Sequence, residues 1–308
     1  VILKQSRPVD QTLMLEGEMM QQITFYSGLS DLKDQYDSFI VDLWGVIHDG
    51  TQLFPNVLAT LKELSEVQKE IIFLSNSPRR SSVLVKNLHD LNIPETLYKA
   101  LYSSGEDAYR ALIRPRKAPY DHLGLKAYAL SQPLHQGLYY DLDLETVESI
   151  EEADFILNTG PQNFKIEEYQ QILQQAVPLK LPMVCVNPDI SVVHGGKLIL
   201  CAGALAEYYQ KIGGEVRYHG KPYPNVYQSV VEMFTTKDLK RTLAIGDSLI
   251  TDIKGGNTFG IDTALVMTGL FEQEFGRDFD PELEMPKLTK VCLQKGVQPT
   301  YLVPQFQW

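Results

Sequence analysis

Cysteine is scarce in this chain. There are three, Cys185, Cys201 and Cys292, an odd number with no CxxC spacing. That excludes a disulfide framework or a cysteine-held metal as the organising device, and it suits a reducing cytosol. We read the three as packing residues. The six histidines form no HExxH or comparable ligand pattern, which sets histidine-bound zinc aside. No run approaches the roughly 20 apolar residues of a membrane span. The opening stretch VILKQSRPVDQTLML carries no sustained apolar segment of the secretory kind. A cytoplasmic protein with no membrane partner is therefore expected. Positive charge is short as well: 28 Lys and Arg against 39 Asp and Glu leave a net charge of -11. A nucleic-acid partner needs a basic stripe to displace counterions, so none is expected. Internal repeats and low-complexity tracts are also missing. A homo-oligomer is left open.

What is present begins with composition. The 308 residues, 44% hydrophobic and 22% charged, suffice for one large domain or two modest ones. Three short apolar runs then stop at polar residues: 39–41 at Asp42, 71–74 at Ser75 and Asn76, and 243–245, through Gly246, at Asp247. The runs are continuous rather than alternating, the pattern of strands buried on both faces of a parallel sheet. Between the first two, Val57, Leu61 and Leu64 form a helical stripe; after the second, Leu84, Leu88 and Leu91 form another. Pro224 opens a helix carrying Tyr227, Val230, Val231 and Phe234, and a fourth strand over 263–267 stops at Thr268 and Gly269. This alternation predicts an α/β fold with a doubly wound, parallel, Rossmann-like core. Ligands of such sheets bind outside the carboxyl ends of the strands, so Asp42, Ser75 and Asp247 are expected on one rim.

From about 110 to 201 the order is interrupted by strand and helix signals of its own, KAYAL, DFILN, a helix over 166–176 and PMVCV. A structureless loop of that length is uncommon. We expect an inserted α/β cap at 110–201 in a discontinuous core of 1–109 and 202–308, with RPRKAPYDHLG and HGGKLILCAG as its hinges.

A strand-end carboxylate such as Asp42 can attack phosphorus and form an aspartyl phosphate, provided the gathering negative charge is neutralised. Asp247, with Asp252 five residues on in GDSLITD, suits Mg²⁺ and its preference for oxygen ligands. Lys221, in HGKPYPNVY, is placed to neutralise phosphoryl oxygens, and Ser75 and Asn76 to donate hydrogen bonds to them.

The segments DLWGV, LSNSP, GKPYP and GDSLITD, in that order, resemble the four motifs of the haloacid dehalogenase-like (HAD) superfamily. The insertion between the second and third motifs, with NPD (Asn187, Pro188, Asp189) ahead of GKP, resembles its NagD-like type IIA branch. The likeness runs from about Gly28 to Gly269. It implies Asp42 as nucleophile and metal ligand, with the Trp44 carbonyl and Asp247 as further ligands of Mg²⁺. It also implies Asp252 in the metal's outer shell, Ser75 and Lys221 on the phosphoryl group, and Asn187 and Asp189 near the cap hinge in contact with substrate.

The chain departs from that pattern at Trp44, where the family's phosphatases carry a second Asp that protonates the leaving group. An indole donates one N–H and cannot act as a base. Positioned acid-base catalysis contributes roughly 10² to 10⁴ in rate, so a loss of that order is implied unless His48 or Asp49 substitutes. The expected protein is a Mg²⁺-dependent phosphohydrolase of a small phosphorylated metabolite. The alternatives are a phosphometabolite-binding or regulatory protein and a phosphotransferase. Arg79 and Arg80 are expected to face solvent, and the Tyr139-Tyr140 and Tyr208-Tyr209 pairs to lie in core or interface.

Overall fold

Strands form where the apolar runs are unbroken. The computed structural model describes residues 22–140, 142–162, 166–194 and 197–308. The opening stretch read above for a secretory segment lies outside them. In chain order, β1 (Thr24–Phe25), β2 (Ser38–Val41), β3 (Glu70–Ser75) and β4 (Ala100–Ser103) come first. A middle group follows: β5 (Lys126–Leu130), β6 (Glu145–Val147), β7 (Phe155–Asn158), β8 (Met183–Cys185), β9 (Ser191–His194), β10 (Lys197–Leu200) and β11 (Val216–Tyr218). The chain closes with β12 (Thr242–Gly246), β13 (Asp262–Val266) and β14 (Tyr301–Val303).

The first and last groups make one seven-stranded sheet, ordered β1-β14-β13-β12-β2-β3-β4, and every pairing in it is parallel. Its strands bury both faces because successive side chains point opposite ways. Phe39, Val41, Ile71, Phe73, Leu243 and Ile245 pack beneath the helices Val57–Glu66 and Ser81–Asp90. Ile40, Ile72, Leu74 and Ala244 meet Val226, Tyr227 and Val230 of the helix Pro224–Val231 on the other face. Each such aliphatic or aromatic side chain contributes about 1.5–3 kcal/mol on burial, so the continuous runs stabilise the very edge from which Asp42 and Asp247 project.

The middle group makes a second, five-stranded sheet ordered β11-β8-β7-β5-β6, again all parallel. It too is covered on both faces. Ala108 and Leu112 of the helix Ser104–Leu112 lie against Ala127, Phe155 and Leu157. Leu205 and Tyr209 of the helix Ala202–Lys211 lie with Leu173 against Ile156 and Met183. Both flanking helices and β11 therefore belong to the inserted unit, which runs from about 104 to about 218 rather than over 110–201. The physical reason is that β8 reaches its parallel partner β11 only through the crossover helix 202–211. Gly195 and Gly196, read as part of a hinge, lie outside the described residues, between the strands of the antiparallel β9–β10 hairpin.

All three cysteines are buried and unpaired. Tyr209 is buried and donates its hydroxyl to the Leu181 carbonyl at 2.7 Å. Among the described residues no helix is long and apolar enough to cross a membrane.

Candidate active site

β2 lies between β12 and β3, where the winding of the sheet reverses. The Asp42 N–H donates to the Ile245 carbonyl at 2.9 Å, carrying the β2–β12 ladder one residue beyond the strand and setting Asp42 beside the end of β12. Asp247 follows on β12 and accepts the Leu270 N–H at Oδ2, 2.7 Å away. Two loops crowd this carboxylate: a Cβ on Gly45 or on Gly269 would stand 1.9 or 2.0 Å from Asp247 Oδ2, and both have positive φ. Only glycine fits at either place.

The turn after β12 aims Asp252 back at the strand ends. Ser248 accepts the Thr251 N–H, the chain makes a π-helical turn over Leu249–Ile253, and Asp252 Oδ2 accepts the Ser248 N–H at 3.2 Å. As a result the carboxylates of Asp42, Asp247 and Asp252 offer oxygens within 4.8 Å of one another. Lys221 lies in their midst, its Nζ donating to Asp42 Oδ1 at 2.5 Å and to Asp252 Oδ1 at 2.7 Å.

All four groups are buried, and one ammonium does not balance three carboxylates. Burial pushes Asp42 up to about 7, with Asp252 adding and Lys221 opposing. Burial likewise raises Asp247 well above the usual carboxylate range, with Asp42 and Asp252 adding. For Lys221, burial works toward deprotonation, but Asp252 and Asp42 more than reverse it and hold the ammonium charged. A closely spaced, all-oxygen donor set with surplus negative charge fits a hard divalent cation such as Mg²⁺. Trp44 borders the same space.

Above the carboxylates opens a chamber of about 880 Å³ walled by both sheets' loops. Ser75 lines it, with its Oγ accepting the Ser77 N–H at 3.2 Å. Asn76, expected to contact phosphate, is engaged elsewhere. Its amide donates to Asp189 Oδ1 at 2.8 Å and to the Lys221 carbonyl at 3.0 Å, and its Oδ1 accepts the Lys221 N–H at 2.7 Å. Its backbone carbonyl accepts Ser104 Oγ at 2.7 Å. Asn76 thus straps together both crossings into the cap. Asn187 and Asp189 line the chamber, and Asn187 Oδ1 accepts the Asp189 N–H at 3.0 Å, making a tight turn. Burial raises Asp189 to about 6, opposed by Lys221 and Asn76.

Neither proposed substitute for the missing acid is protonated near neutrality. Burial pushes His48 down to about 4, with Arg79 acting the same way. The His48 Nδ1 accepts the Gly50 N–H at 3.0 Å, and its ring stands edge-on to Trp44, 5.4 Å between centroids. Asp49 is partly desolvated, yet hydrogen bonds from Thr51 and Gln52 hold it below its ordinary value.

Two features went unread in the sequence. The β9–β10 hairpin supplies Val192, Ile199 and Leu200 to the chamber wall. Arg79, expected in solvent, also lines it, while Arg80 pairs with Glu106 at 2.7 Å. The available signal was their place in the loop just past Ser75 on the carboxyl rim.

The profile of the haloacid dehalogenase-like hydrolase family matches residues 39–129, and a HAD-hydrolase-like profile matches 218–291. The 4-nitrophenylphosphatase of Schizosaccharomyces pombe is 25% identical over 263 residues, covering 78% of this chain and 87% of that protein. Chronophin of Mus musculus is 26% identical over 260 residues, covering 80% and 86%. The crystal structure of a haloacid dehalogenase-like family hydrolase from Brucella suis 1330 superposes with a TM-score of 0.76 at 30% identity, covering 90% of this chain and 98% of that one.

Proposed function

The chain belongs to the haloacid dehalogenase-like hydrolases, and from that premise we propose that it hydrolyses small phosphate monoesters through a phosphoryl group carried on Asp42. The observation that carries this reading is the buried cluster of Lys221 with Asp42, Asp247 and Asp252 on adjacent parallel strand ends, at the floor of a chamber sized for a small molecule. The phosphatase names of its relatives support the same reaction class.

In the first step an oxygen of Asp42 attacks phosphorus, and the P–O bond to the leaving group breaks with its electron pair staying on that oxygen. In the second, water attacks phosphorus, inorganic phosphate departs, and the Asp42 carboxylate is restored with the water's proton passing to solvent. Lys221 holds a fixed positive charge beside Asp42 throughout, and Ser75 offers its hydroxyl to the phosphoryl oxygens. Mg²⁺, held by Asp42, Asp247 and the Trp44 carbonyl with Asp252 orienting its outer shell, would neutralise the phosphoryl charge. Asn187 and Asp189 present the cap's hinge turn to the substrate.

The test is turnover of 4-nitrophenyl phosphate with Mg²⁺, followed by acid-quench labelling with ³²P. Wild-type protein should carry label on Asp42. Asp42→Asn should show neither label nor turnover, and full turnover by that variant would overturn the covalent route. A second reading is favoured by Trp44 alone: with no acid for the leaving group and no base for water, the site suits a phosphometabolite-binding protein or transfer to a better acceptor. Tight phosphate binding without turnover identifies the former, and a phosphorylated alcohol product the latter.

A further inference from the structure

Three lysine and arginine side chains stand on the chamber wall: Arg79, Lys221 and Arg277. Lys221 is held between Asp42 and Asp252, and Arg277 pairs with Glu272 at 2.7 Å. Arg79 is different. Its Nε donates to Ser77 Oγ at 3.3 Å, and among the described residues no carboxylate pairs with it and its terminal nitrogens meet no protein acceptor. The side chain is partly buried, and burial alone moves its titration, downward, with no acid opposing. Leaving a desolvated cation unpaired costs stability, so such a group in a binding chamber points to a ligand anion.

Its surroundings fix where that anion would lie. Arg79 stands near His48 of the core loop, and near His135 of the cap, which touches Thr159 Oγ1 at 3.3 Å. Both imidazoles line the chamber and carry ring nitrogens that can hydrogen-bond to a ligand there. Arg79 therefore lines the chamber between His48 of the core and His135 of the cap.

We propose that Arg79 is a specificity-determining residue that binds a second anionic group, carboxylate or phosphate, on the leaving-group side of the substrate. The preferred substrates are then phosphomonoesters whose leaving group carries its own carboxylate or phosphate, rather than monophosphates of neutral alcohols or sugars. The guanidinium fork suits bidentate recognition of either oxyanion. This rests on the reading of the chamber as a phosphomonoester site.

Two matched substrate pairs test it. 3-Phosphoglycerate against glycerol 3-phosphate exchanges a hydroxymethyl for a carboxylate, and fructose 1,6-bisphosphate against fructose 1-phosphate adds a phosphate. Wild-type protein should prefer the anion-bearing member of at least one pair by kcat/KM. In Arg79→Gln that preference should fall about 10- to 100-fold, mainly through KM, as expected for a charged hydrogen bond. Arg79→Lys should restore part of it. An unchanged ratio in both pairs overturns the proposal. Calorimetry with phosphonoacetate and ethylphosphonate gives the same comparison without turnover: tighter binding of the carboxylate compound, lost in Arg79→Gln, supports the assignment even if no ester is hydrolysed, and equal loss for both compounds refutes it. An inert enzyme with a retained carboxylate preference would overturn only the hydrolytic reading.

Discussion

Trp44 alters what a leaving group must do for itself. With His48 neutral and Asp49 held ionised, neither stands in for the acid missing at Trp44 when an alkoxide leaves, whereas a nitrophenolate departs readily without one. Turnover of 4-nitrophenyl phosphate should therefore exceed that of glycerol 3-phosphate by a wider margin than in a relative with the acid in place. Trp44→Asp should raise alkyl turnover on the order of 10² while changing aryl turnover little. Equal gains for both ester types, measured as kcat, would show that Trp44 acts by filling space instead. At this scale Asp42, Asp247 and Asp252 were readable, because an acid closing a doubly buried strand is conspicuous. Asn76 and Arg79 were not. Asn76 is engaged by Asp189, and Arg79 comes beside His135, only because the cap brings those residues near.

The element that matters most is the pair of crossings. The first leaves β4 through Ser103, whose Oγ accepts the Glu106 N–H at 3.0 Å and caps the helix Ser104–Leu112. The second returns from β11 through His219, whose Nδ1 meets Asp107 Oδ2 at 2.6 Å and whose Nε2 meets the Tyr120 hydroxyl at 2.8 Å. Gly220 follows with positive φ, and a Cβ there would stand 2.5 Å from Asn76 Oδ1. Asn76→Ala removes the strap and leaves buried groups of Lys221 and Asp189 without their partner. We expect a loss of about 2–3 kcal/mol in denaturant unfolding, together with a fall in kcat as Lys221 loses its backbone anchor. Retention of both values would mean that the crossings are held elsewhere. The extent of the insertion was hidden in the sequence for a related reason. β11 is three half-buried residues, VRY, too short to show a period, and it reads as strand only beside β8.

Across the whole molecule, two doubly covered sheets meet at one chamber, and its neutral imidazoles make stability depend on pH. Burial, with Arg79 adding, holds His135 at about 4, below the 6.5 of an ordinary imidazole. The unfolded chain therefore takes up this proton first as pH falls. The contribution of neutral His135 is complete above about 6.5 and is lost as pH drops through 4, an effect on the order of 3 kcal/mol. His48 acts in the same direction. Denaturation midpoints measured from pH 7 to pH 4 should decline, and His135→Gln should flatten the decline; an identical slope in the variant would place the imidazole in water. The doubly wound core was legible because its strands are long and unbroken. The chamber was not, since it exists only where residues 104–218 fold back over residues 42–91.

Lys221 is the second residue after the crossing histidine, and its ammonium is the cation bonded to Asp42. The lever and the trigger are thus on one short rod. Gly220 joins the two, and a rotation there would turn the peptide that carries Lys221 against the hold of Asn76 Oδ1 on the Lys221 N–H. Any rotation of that unit would carry Lys221 with it, so the charge beside the nucleophile would follow the angle of the cap.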